Sequence, residues 1–389
     1  MAITGMQAPR RLRLGMVGGG RGAFIGAVHR LAARMDDHFE LVAGAFSADP
    51  ETSRASAREL RVADARAYAD FREMAKLEAA RDDGIDAVAI VTPNHLHHAV
   101  ASAFLAAGIH VICDKPLCTS LADARDLEKR VAESGRIFVL THNYAGYPLI
   151  REARARVEAG ELGKIRVVQV EYAQDWLASR LEASGQKQAS WRTDPARAGP
   201  GGCLGDIASH AHHLAGFVSG LEVEELCAQL TAFVEGRPLD DDVQILLRYQ
   251  GGARGMLWAS QVAAGNENGL RLRVYGEKAG LEFEQETPNR LLLTPLGEPP
   301  RVITRGGPGS GPAAARASRI PPGHPEGYLE GFANLYADAA ELIRAGIEGR
   351  PPDPAATSVP GIADGVQGVA FIEAAVASSR ANGTWVRPA

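Results

Sequence analysis

The feature that most constrains how this chain folds is a glycine-rich turn, GGGRGA at residues 18–23, between two segments of different pattern. Residues 12–17 form an apolar run typical of a buried strand, and residues 23–35 have the periodicity of a helix. Strand, glycine turn and helix in this order are typical of the unit that opens a dinucleotide-binding domain. A glycine-rich turn alone is a weak signal, so the prediction depends on the residues that follow.

The turn matches the GxGxx(G/A) pattern of that unit at Gly18, Gly20 and Ala23. Gly18 permits the tight turn, and Gly20 leaves room for a pyrophosphate to approach the backbone. Ala23 is expected to let the helix pack closely on the strand, while the helix N-terminus offers amide groups and a positive dipole to the phosphates. Arg21, inside the turn, is expected to face the cofactor as well.

The first third of the chain alternates strand and helix patterns. Strands are predicted at residues 12–17, 39–46, 87–91, 110–113 and 137–140, and helices at residues 23–35, 50–60, 95–107 and 121–133. Apolar strands separated by helices imply a parallel sheet covered on both faces. We therefore predict a Rossmann-type, doubly wound α/β domain over residues 1–144, and this context strengthens the prediction of dinucleotide binding.

The pattern changes after about residue 144. Alternating segments at residues 165–176, 223–235, 241–249, 254–262 and 270–275 predict strands of a largely antiparallel sheet. Helices are predicted at residues 149–159, 328–345 and 362–379, and the low-complexity stretch 306–317 is predicted to be a mobile loop. Residues 145–389 are thus expected to form an α+β domain with an open, mostly antiparallel sheet that binds the substrate.

The composition argues against several classes of partner. The net charge of −5 gives no electrostatic basis for nucleic acid or an anionic membrane as the main partner. No stretch is expected to approach the roughly 18 apolar residues of a membrane span, and the run after Arg10 and Arg11 is too short and glycine-rich for an export signal. The four cysteines form no CxxC pair, so a reduced, cytoplasmic setting is expected.

The choice of dinucleotide depends on the end of the second strand, which has the sequence AFSADP. An acidic residue that binds the ribose 2′-hydroxyl of NAD is expected there, but Ser47 takes the position and Asp49 follows two residues later. A serine removes the charge that would repel the 2′-phosphate of NADP, yet no arginine is immediately adjacent, and Arg54 and Arg58 follow only on the helix. The sequence therefore leaves both NAD and NADP open as cofactors.

Three further motifs complete a pattern: VTPNHLHH at residues 91–98, CDKPL at residues 113–117 and GGCLGDIASH at residues 201–210. Together with GGGRGA, and in this order along nearly the whole chain, they resemble the glucose–fructose oxidoreductase/inositol dehydrogenase family, Gfo/Idh/MocA. The segments QDW at residues 174–176 and SWR at residues 190–192 are most similar to the levoglucosan-type sugar dehydrogenases of that family. The resemblance is specific for the family and says little about the substrate.

The resemblance implies roles for individual residues. Lys115 matches the lysine that contacts the nicotinamide ribose and the reacting oxygen, and Asp206 and His210 match the catalytic aspartate and histidine. Asp114 stands where glutamate is usual. The cofactor-binding residues implied are Gly18, Gly20, Arg21, Ala23, Ser47, Thr92, Pro93, Asn94, His95, Asp114, Lys115 and Asn143. The substrate-binding residues implied are Lys115, Tyr144, Trp176, Trp191, Arg192, Asp206 and His210.

These residue types suit the oxidation of a sugar alcohol, in which a hydride passes to nicotinamide and the hydroxyl proton passes to the protein. A histidine is a suitable base because its pKa lies near neutral pH, and a neighbouring ammonium favours the developing alkoxide. A helix is expected to start near Leu204. Asp206, His210 and His213 would then share one face of that helix, and Asp206 is expected to orient His210 and the substrate.

Other histidines are assigned plainer roles. Structural roles are expected for His97, His98 and His213, His212 is expected to point away from the site, and His324 is as consistent with a loop as with the pocket. Zinc bound by one aspartate and two histidines is an alternative reading of residues 206–213. No cysteine ligand pattern lies nearby and Lys115 already supplies positive charge, so no metal is expected.

The function expected from these observations is that of an NAD(P)-dependent oxidoreductase. It would act on a CH–OH group of a sugar, anhydrosugar or polyol, or reduce the matching keto-sugar, so its partner would be a small carbohydrate. The family resemblance implies a homodimer or homotetramer formed through the face of the second sheet. Two alternatives stay open: NAD-dependent glycoside cleavage through transient oxidation, and a sugar- or nucleotide-sensing regulator without catalysis.

Overall fold

The structure is a computed structural model that describes residues 10–389. Its strands are β1 (Leu12–Gly18), β2 (Phe39–Ala45), β3 (Ala87–Val91), β4 (His110–Cys113), β5 (Phe138–Leu140), β6 (Ile165–Ala173), β7 (Val223–Thr231), β8 (Asp242–Tyr249), β9 (Arg254–Ser260), β10 (Gly269–Gly276), β11 (Ala279–Glu284), β12 (Arg290–Pro295) and β13 (Arg301–Thr304). Its α-helices are α1 (Phe24–Met35), α2 (Pro50–Glu59), α3 (Phe71–Ala79), α4 (His97–Ala106), α5 (Leu121–Ser134), α6 (Pro148–Glu158), α7 (Lys187–Arg192), α8 (Pro195–Ala198), α9 (Ser209–Ser219), α10 (Pro312–Arg316), α11 (Tyr328–Glu348) and α12 (Ile362–Arg380).

The first sheet is parallel and has the strand order β2-β1-β3-β4-β5. Its strands are apolar because helices cover both faces, and every residue of β3 is buried. The carboxyl ends of parallel strands lie at one edge of the sheet. The chain changes direction across the sheet between β1 and β3, and ligands of such folds bind in the crevice at that point. The predicted Rossmann-type architecture is confirmed.

The second sheet has the order β13-β12-β11-β10-β6-β9-β8-β7 and is antiparallel except for the β6–β9 pair. Its inner face packs against α6 and α9, while the outer face carries polar residues and exposed apolar ones. The predicted open, mostly antiparallel sheet is confirmed, although β11, β12 and β13 were not predicted. The stretch predicted to be a mobile loop contains α10, and Ala314 of that helix is completely buried.

The last long helices return to the first domain. Phe332, Leu335 and Tyr336 of α11 share a hydrophobic cluster with strand β1 and helix α1. Helix α12 packs against α5 of the first domain and against β7 of the second sheet. The domain boundary at residue 144 stays a prediction, but the core of the first domain includes α11.

The segment Pro354–Arg380, which contains α12, is long and apolar enough by composition to cross a membrane. The expectation that no stretch would approach such a composition was therefore wrong. Half of the apolar window is buried inside the fold, and the contacts of α12 with α5 and β7 give it the burial of a core helix.

Candidate active site

The glycine turn lies close to the backbone at the end of β2. Gly18 has φ of +82°, which favours glycine. The Gly20 N–H donates to the Phe46 carbonyl at 3.2 Å, and a Cβ at residue 20 would lie 2.7 Å from that carbonyl oxygen. The close helix–strand approach assigned to Ala23 falls elsewhere, because a Cβ at Gly26 would lie 2.4 Å from the Gly19 Cα.

The end of β2 leaves no free carboxylate at the expected ribose position. The Ser47 hydroxyl accepts a hydrogen bond from the Asp49 N–H at 3.1 Å. Asp49 caps helix α2 by accepting from the Thr52 hydroxyl and from the Thr52 N–H, the latter at 2.8 Å, and these two hydrogen bonds from Thr52 lower the pKa of Asp49. The Arg21 guanidinium pairs with Glu59, with Nε 2.7 Å from Oε1.

Residues at the carboxyl ends of β3 and β5 leave buried polar atoms without partners. The Thr92 hydroxyl and both amide atoms of Asn143 have no hydrogen-bond partner within residues 10–389. Buried polar groups are normally paired, so these atoms are suited to a ligand at this edge. Asn94 behaves differently, because its amide donates to the Ala198 carbonyl at 2.9 Å and so links the two domains. His95 is exposed and follows Pro93 in a short 3₁₀ turn.

Lys115 extends from the end of β4 toward the second domain. Its ammonium donates to the backbone oxygen of Asp206 and to Oδ1 of the same residue, the latter at 3.2 Å. The preceding Asp114 carboxylate accepts from the Lys115 N–H at 3.0 Å and from the Thr141 hydroxyl at 3.1 Å. Asp114 therefore fixes the backbone of this turn. The motif residues from the two domains meet through the lysine.

The Asp206 carboxylate accepts hydrogen bonds from two further side chains. Arg192 Nε lies 3.2 Å and Gln261 Nε2 lies 2.8 Å from its Oδ2. Burial alone would raise the pKa of Asp206, but the charges of Arg192 and Lys115 outweigh it and hold the pKa well below its usual value. Asp206 is therefore an ionised anchor for two cations.

The His210 ring is surrounded by aromatic side chains. Its centroid lies 5.0 Å from that of Tyr144, 5.6 Å from that of His142 and 6.4 Å from that of Tyr172. Burial and the Lys115 ammonium lower the pKa of His210 well below its usual value. Between these described residues no hydrogen bond joins Asp206 to His210, so the expectation that Asp206 orients this imidazole was wrong.

The reason lies in the first turn of the helix. Residues Leu204–Ala208 form a π-helical turn before α9 begins, and its wider spacing changes which side chains are neighbours. His213 stacks on His142, with centroids 4.0 Å apart, and its Nε2 lies 3.4 Å from the Asp364 carboxylate. His212 stacks on Phe371 at 3.9 Å, away from the site as expected.

Of the remaining predicted substrate residues, Arg192 contacts Asp206, and a substrate role for Trp176 and Trp191 stays a prediction. The Arg192 guanidinium lies over the Trp191 ring at 4.2 Å and donates to Gln188 Oε1 at 2.6 Å. The Trp176 indole N–H donates to Gln174 Oε1 at 3.0 Å. Both tryptophans are partly buried, which leaves part of each side chain accessible.

Tyr144 belongs to a buried polar network. Its hydroxyl lies 2.5 Å from that of Tyr172, which donates to Asn268 Oδ1 at 2.7 Å. Asn268 also accepts from Gln174 Nε2 at 2.7 Å. The rings of Tyr144 and Tyr172 in this network pack around the His210 ring.

Sequence reasoning missed several of these residues, namely Gln188, Gln261, Tyr172 and Asn268. Gln261 follows β9 directly, and a search for polar residues just after strands would have found it. Tyr172 lies within a predicted strand, where a polar tip on an inward-facing aromatic residue was the available signal. Gln188 and Asn268 carry no sequence signal of their own.

The other histidines keep the plainer roles assigned to them. His97 is buried, with its ring nitrogens 2.8 Å from the Pro116 carbonyl and 2.9 Å from the Thr92 carbonyl. His98 contacts Asp126 at 2.7 Å, and His324 is exposed in a loop. Across residues 10–389, no group of three or more His, Cys, Asp or Glu side chains is arranged to hold a metal ion.

Two models of known protein families match this chain. The model described as "Oxidoreductase family, NAD-binding Rossmann fold" matches residues 12–142, and the model described as "GFO/IDH/MocA C-terminal domain" matches residues 150–282. The chain belongs to the Gfo/Idh/MocA oxidoreductase family. This family protein therefore has an NAD-binding domain followed by the family's C-terminal domain.

Relatives of this Gfo/Idh/MocA protein include dehydrogenases of small polyols. An oxidoreductase structure from Sinorhizobium meliloti is 54% identical, covers 97% of this chain and 100% of that chain, and has a TM-score of 0.88. An inositol dehydrogenase homologue from Azotobacter vinelandii, solved with NADH and myo-inositol, is 39% identical over 97% and 98% of the two chains, with a TM-score of 0.90. Levoglucosan dehydrogenase from Pseudarthrobacter phenanthrenivorans is 28% identical over 97% and 98%.

The residues of the first domain fit a dinucleotide cofactor. The Gly20 backbone leaves no space for a side chain beside Phe46. Thr92 and Asn143 present unpaired polar atoms at the same edge of the sheet. Phosphates would be held at the start of α1, and the nicotinamide end would lie toward Lys115.

Proposed function

We propose that this oxidoreductase oxidises a CH–OH group of a sugar, anhydrosugar or polyol, or reduces the matching ketone, with Lys115, His210 and Asp206 managing the proton. The observation that carries the proposal is the buried contact of the Lys115 ammonium with Asp206, together with the effect of the same ammonium in lowering the pKa of the buried His210. Relatives named levoglucosan dehydrogenase and myo-inositol 2-dehydrogenase support the substrate class.

Lys115 would stabilise the oxygen that loses its proton. Asp206 holds the ammonium through two oxygens, which leaves N–H capacity for a substrate hydroxyl. As that hydroxyl is deprotonated, the ammonium stabilises the negative charge on the oxygen. Asp206 itself is a poor base because its pKa is held low, so its role is to fix and balance Lys115.

His210 is the proton acceptor in this proposal. Its lowered pKa keeps the imidazole neutral at neutral pH, so a ring nitrogen is free to accept the hydroxyl proton. In the reverse direction the protonated ring returns that proton to the oxygen of the ketone. A bound nicotinamide cofactor supplies the acceptor or donor of the hydride.

The assay is the absorbance of reduced nicotinamide. The purified protein is mixed with NAD or NADP and a panel that contains levoglucosan, myo-inositol, aldoses, other polyols and glycosides, with product analysis. We expect nicotinamide reduction with at least one alcohol. Glycoside conversion without net nicotinamide reduction would indicate internal redox recycling in place of the proposed reaction. No change in nicotinamide absorbance and no product in either reaction direction would refute the proposal.

The role of Lys115 is tested by Lys115→Met. Loss of one preorganised charge at the reacting oxygen is expected to lower kcat about 100-fold or more, while cofactor binding, measured as the Kd for NAD, stays nearly intact. Lys129→Met, on the exposed surface of α5, is the matched control. Turnover of Lys115→Met equal to that of the control would contradict the proposed role.

The second sheet provides the subunit contact in this proposal, and the assembly is a homodimer or homotetramer. Leu246, Met256 and Val167 are 50%, 46% and 37% exposed on its outer face, beside a cavity of about 650 Å³. Light scattering of the wild type and of Leu246→Lys tests this, and a monomeric wild type refutes it.

The described cysteines, Cys113, Cys118, Cys203 and Cys227, are all free, which supports a cytoplasmic location.

A further inference from the structure

The start of the helix that carries the proposed catalytic residues is fixed by one residue from a distant hairpin. The N–H groups of Gly202 and Leu204 donate to the two carboxylate oxygens of Asp240 at 2.8 and 2.7 Å. The N–H of Cys203, between them, donates to the backbone oxygen of Asp240 at 2.9 Å. Asp240 thus satisfies N–H groups that a local N-cap residue would otherwise satisfy.

The approach of the two segments is close enough to dictate the residue on one side. A Cβ at Gly202 would lie 2.3 Å from the backbone oxygen of Asp240, so a side chain there would push the hairpin and the helix apart. The Gly202 carbonyl in turn accepts from the Asp206 N–H at 2.9 Å. Gly202 alone therefore links Asp240 to the backbone of Asp206 through hydrogen bonds.

Asp240 is itself held in place by its neighbour. Asp241 is completely buried and accepts from the Phe233 and Val234 N–H groups at 2.8 and 3.0 Å. The Arg237 guanidinium also donates to Asp241, at 3.0 Å. These hydrogen bonds join the two ends of the loop between β7 and β8, so that the backbone next to Asp240 is held rigidly.

The same hairpin reaches Asp206 by a second route. The backbone oxygen of Asp241 accepts from the Gln261 N–H at 2.8 Å. The side chain of Gln261 then donates to the Asp206 carboxylate at 2.8 Å. Asp206 is therefore fixed both through the helix start and through its own carboxylate.

Burial raises the pKa of Asp240 to about 6, and the N–H groups of the helix start act in the opposite direction. Asp240 is 8% exposed, and among residues 10–389 no Lys, Arg or His forms an ion pair with it. The N–H groups of the helix start and the positive end of the helix dipole are what stabilise the buried carboxylate. An amide at this position would face one of the two N–H donors with its own NH₂ group.

We infer that Asp240 is a positioning residue for the proposed reaction: by holding the helix start, it sets where Asp206 and His210 lie relative to Lys115. The inference rests on the proposed function. A role confined to folding would lower stability only, whereas a positioning role changes the chemical step, because small displacements of catalytic groups have large effects on rate.

The test compares Asp240→Asn with Asp242→Asn. The control makes the same substitution two residues later, where the carboxylate accepts from the Trp258 indole at 3.1 Å and, among residues 10–389, forms no hydrogen bond with the helix start. With the most active alcohol of the panel, we expect Asp240→Asn to lower kcat about tenfold or more, to leave the Kd for NAD unchanged, and to raise the isotope effect for substrate deuterated at the oxidised carbon. Asp240→Ser, which leaves a single acceptor oxygen and a hydroxyl proton that can rotate away from the N–H donors, should behave similarly if Asp240→Asn folds poorly.

A second measurement does not depend on activity. Hydrogen exchange followed by mass spectrometry should show faster exchange of peptides covering residues 201–210 in Asp240→Asn than in Asp242→Asn. An active wild type with equal kcat and isotope effects in both variants would overturn the positioning role. Unchanged exchange would overturn the proposed hold on the helix start, and a wild type inactive on the whole panel would instead refute the proposed function.

Discussion

Protonation of His29 should contribute to the acid sensitivity of the first domain. His29 lies on α1, is completely buried and has Nδ1 2.9 Å from the Tyr336 hydroxyl of α11. Burial lowers its pKa from 6.5 to about 4. Because the pKa is lower in the folded than in the unfolded chain, protons bind the unfolded chain first as the pH falls below 6.5. The stability that this residue contributes is therefore present above that pH and is lost toward pH 4.

The size of the effect follows from the shift. A difference between 6.5 and about 4 corresponds to about 3 kcal/mol in full, of which about 2 kcal/mol would be lost between pH 7 and pH 5. His29→Gln keeps a group able to bond the Tyr336 hydroxyl but does not titrate. Its free energy of unfolding should fall by about 2 kcal/mol less over this interval than that of the wild type.

The assay is urea denaturation followed by circular dichroism at both pH values. His324→Gln, at an exposed loop position, is the matched control and should follow the wild type. A constant offset between wild type and His29→Gln at the two pH values would reflect packing alone. That result would refute the reasoning, since the difference must grow with pH if His29 stays neutral in the fold.

Three further predictions concern cofactor and proton. Gly20→Ala should weaken NAD binding measured by calorimetry, because its Cβ would displace the turn. Gly346→Ala, where a Cβ meets no neighbouring atom, is the control. Equal Kd values for the two variants would contradict the predicted loss of NAD binding. Arg192→Met should raise the pKa of Asp206 by removing its strongest charge partner, so the acid limb of the kcat profile should move to higher pH. Because the pKa of His210 is lowered, wild-type kcat/KM should stay level as the pH falls to about 6.5, and a midpoint at or above that value would count against this base.

The elements that could be predicted from the sequence are those whose pattern is set by burial on both faces. The apolar strands at residues 87–91 and 110–113 are examples. Helix α3 was missed because its composition is rich in charge, although the Asp70 cap, which accepts from the Arg72 N–H at 2.7 Å, was a usable signal. Strands β11 to β13 were missed because they are short and joined by tight connections.

The site was predictable where motifs carry it and unpredictable where contacts cross the fold. Lys115 and Asp206 were matched through motifs, and the structure brings them together. The roles of Gln261 and Asp240 could not be predicted, because Gln261 reaches Asp206 only by a tertiary contact and Asp240 acts on it only through Gly202. The π-helical turn could not be anticipated either, since residue spacing assumes a regular helix.

The return of α11 to the first domain bears on how such enzymes can be recombined. A fragment that ends near residue 144 lacks the helix whose Phe332 and Tyr336 complete the cluster around α1. Cofactor preference and substrate preference therefore cannot be exchanged between relatives by joining two consecutive halves at one point. A working chimera would have to carry residues 328–348 with the nucleotide-binding half, so that recombination needs at least two crossover points and not one.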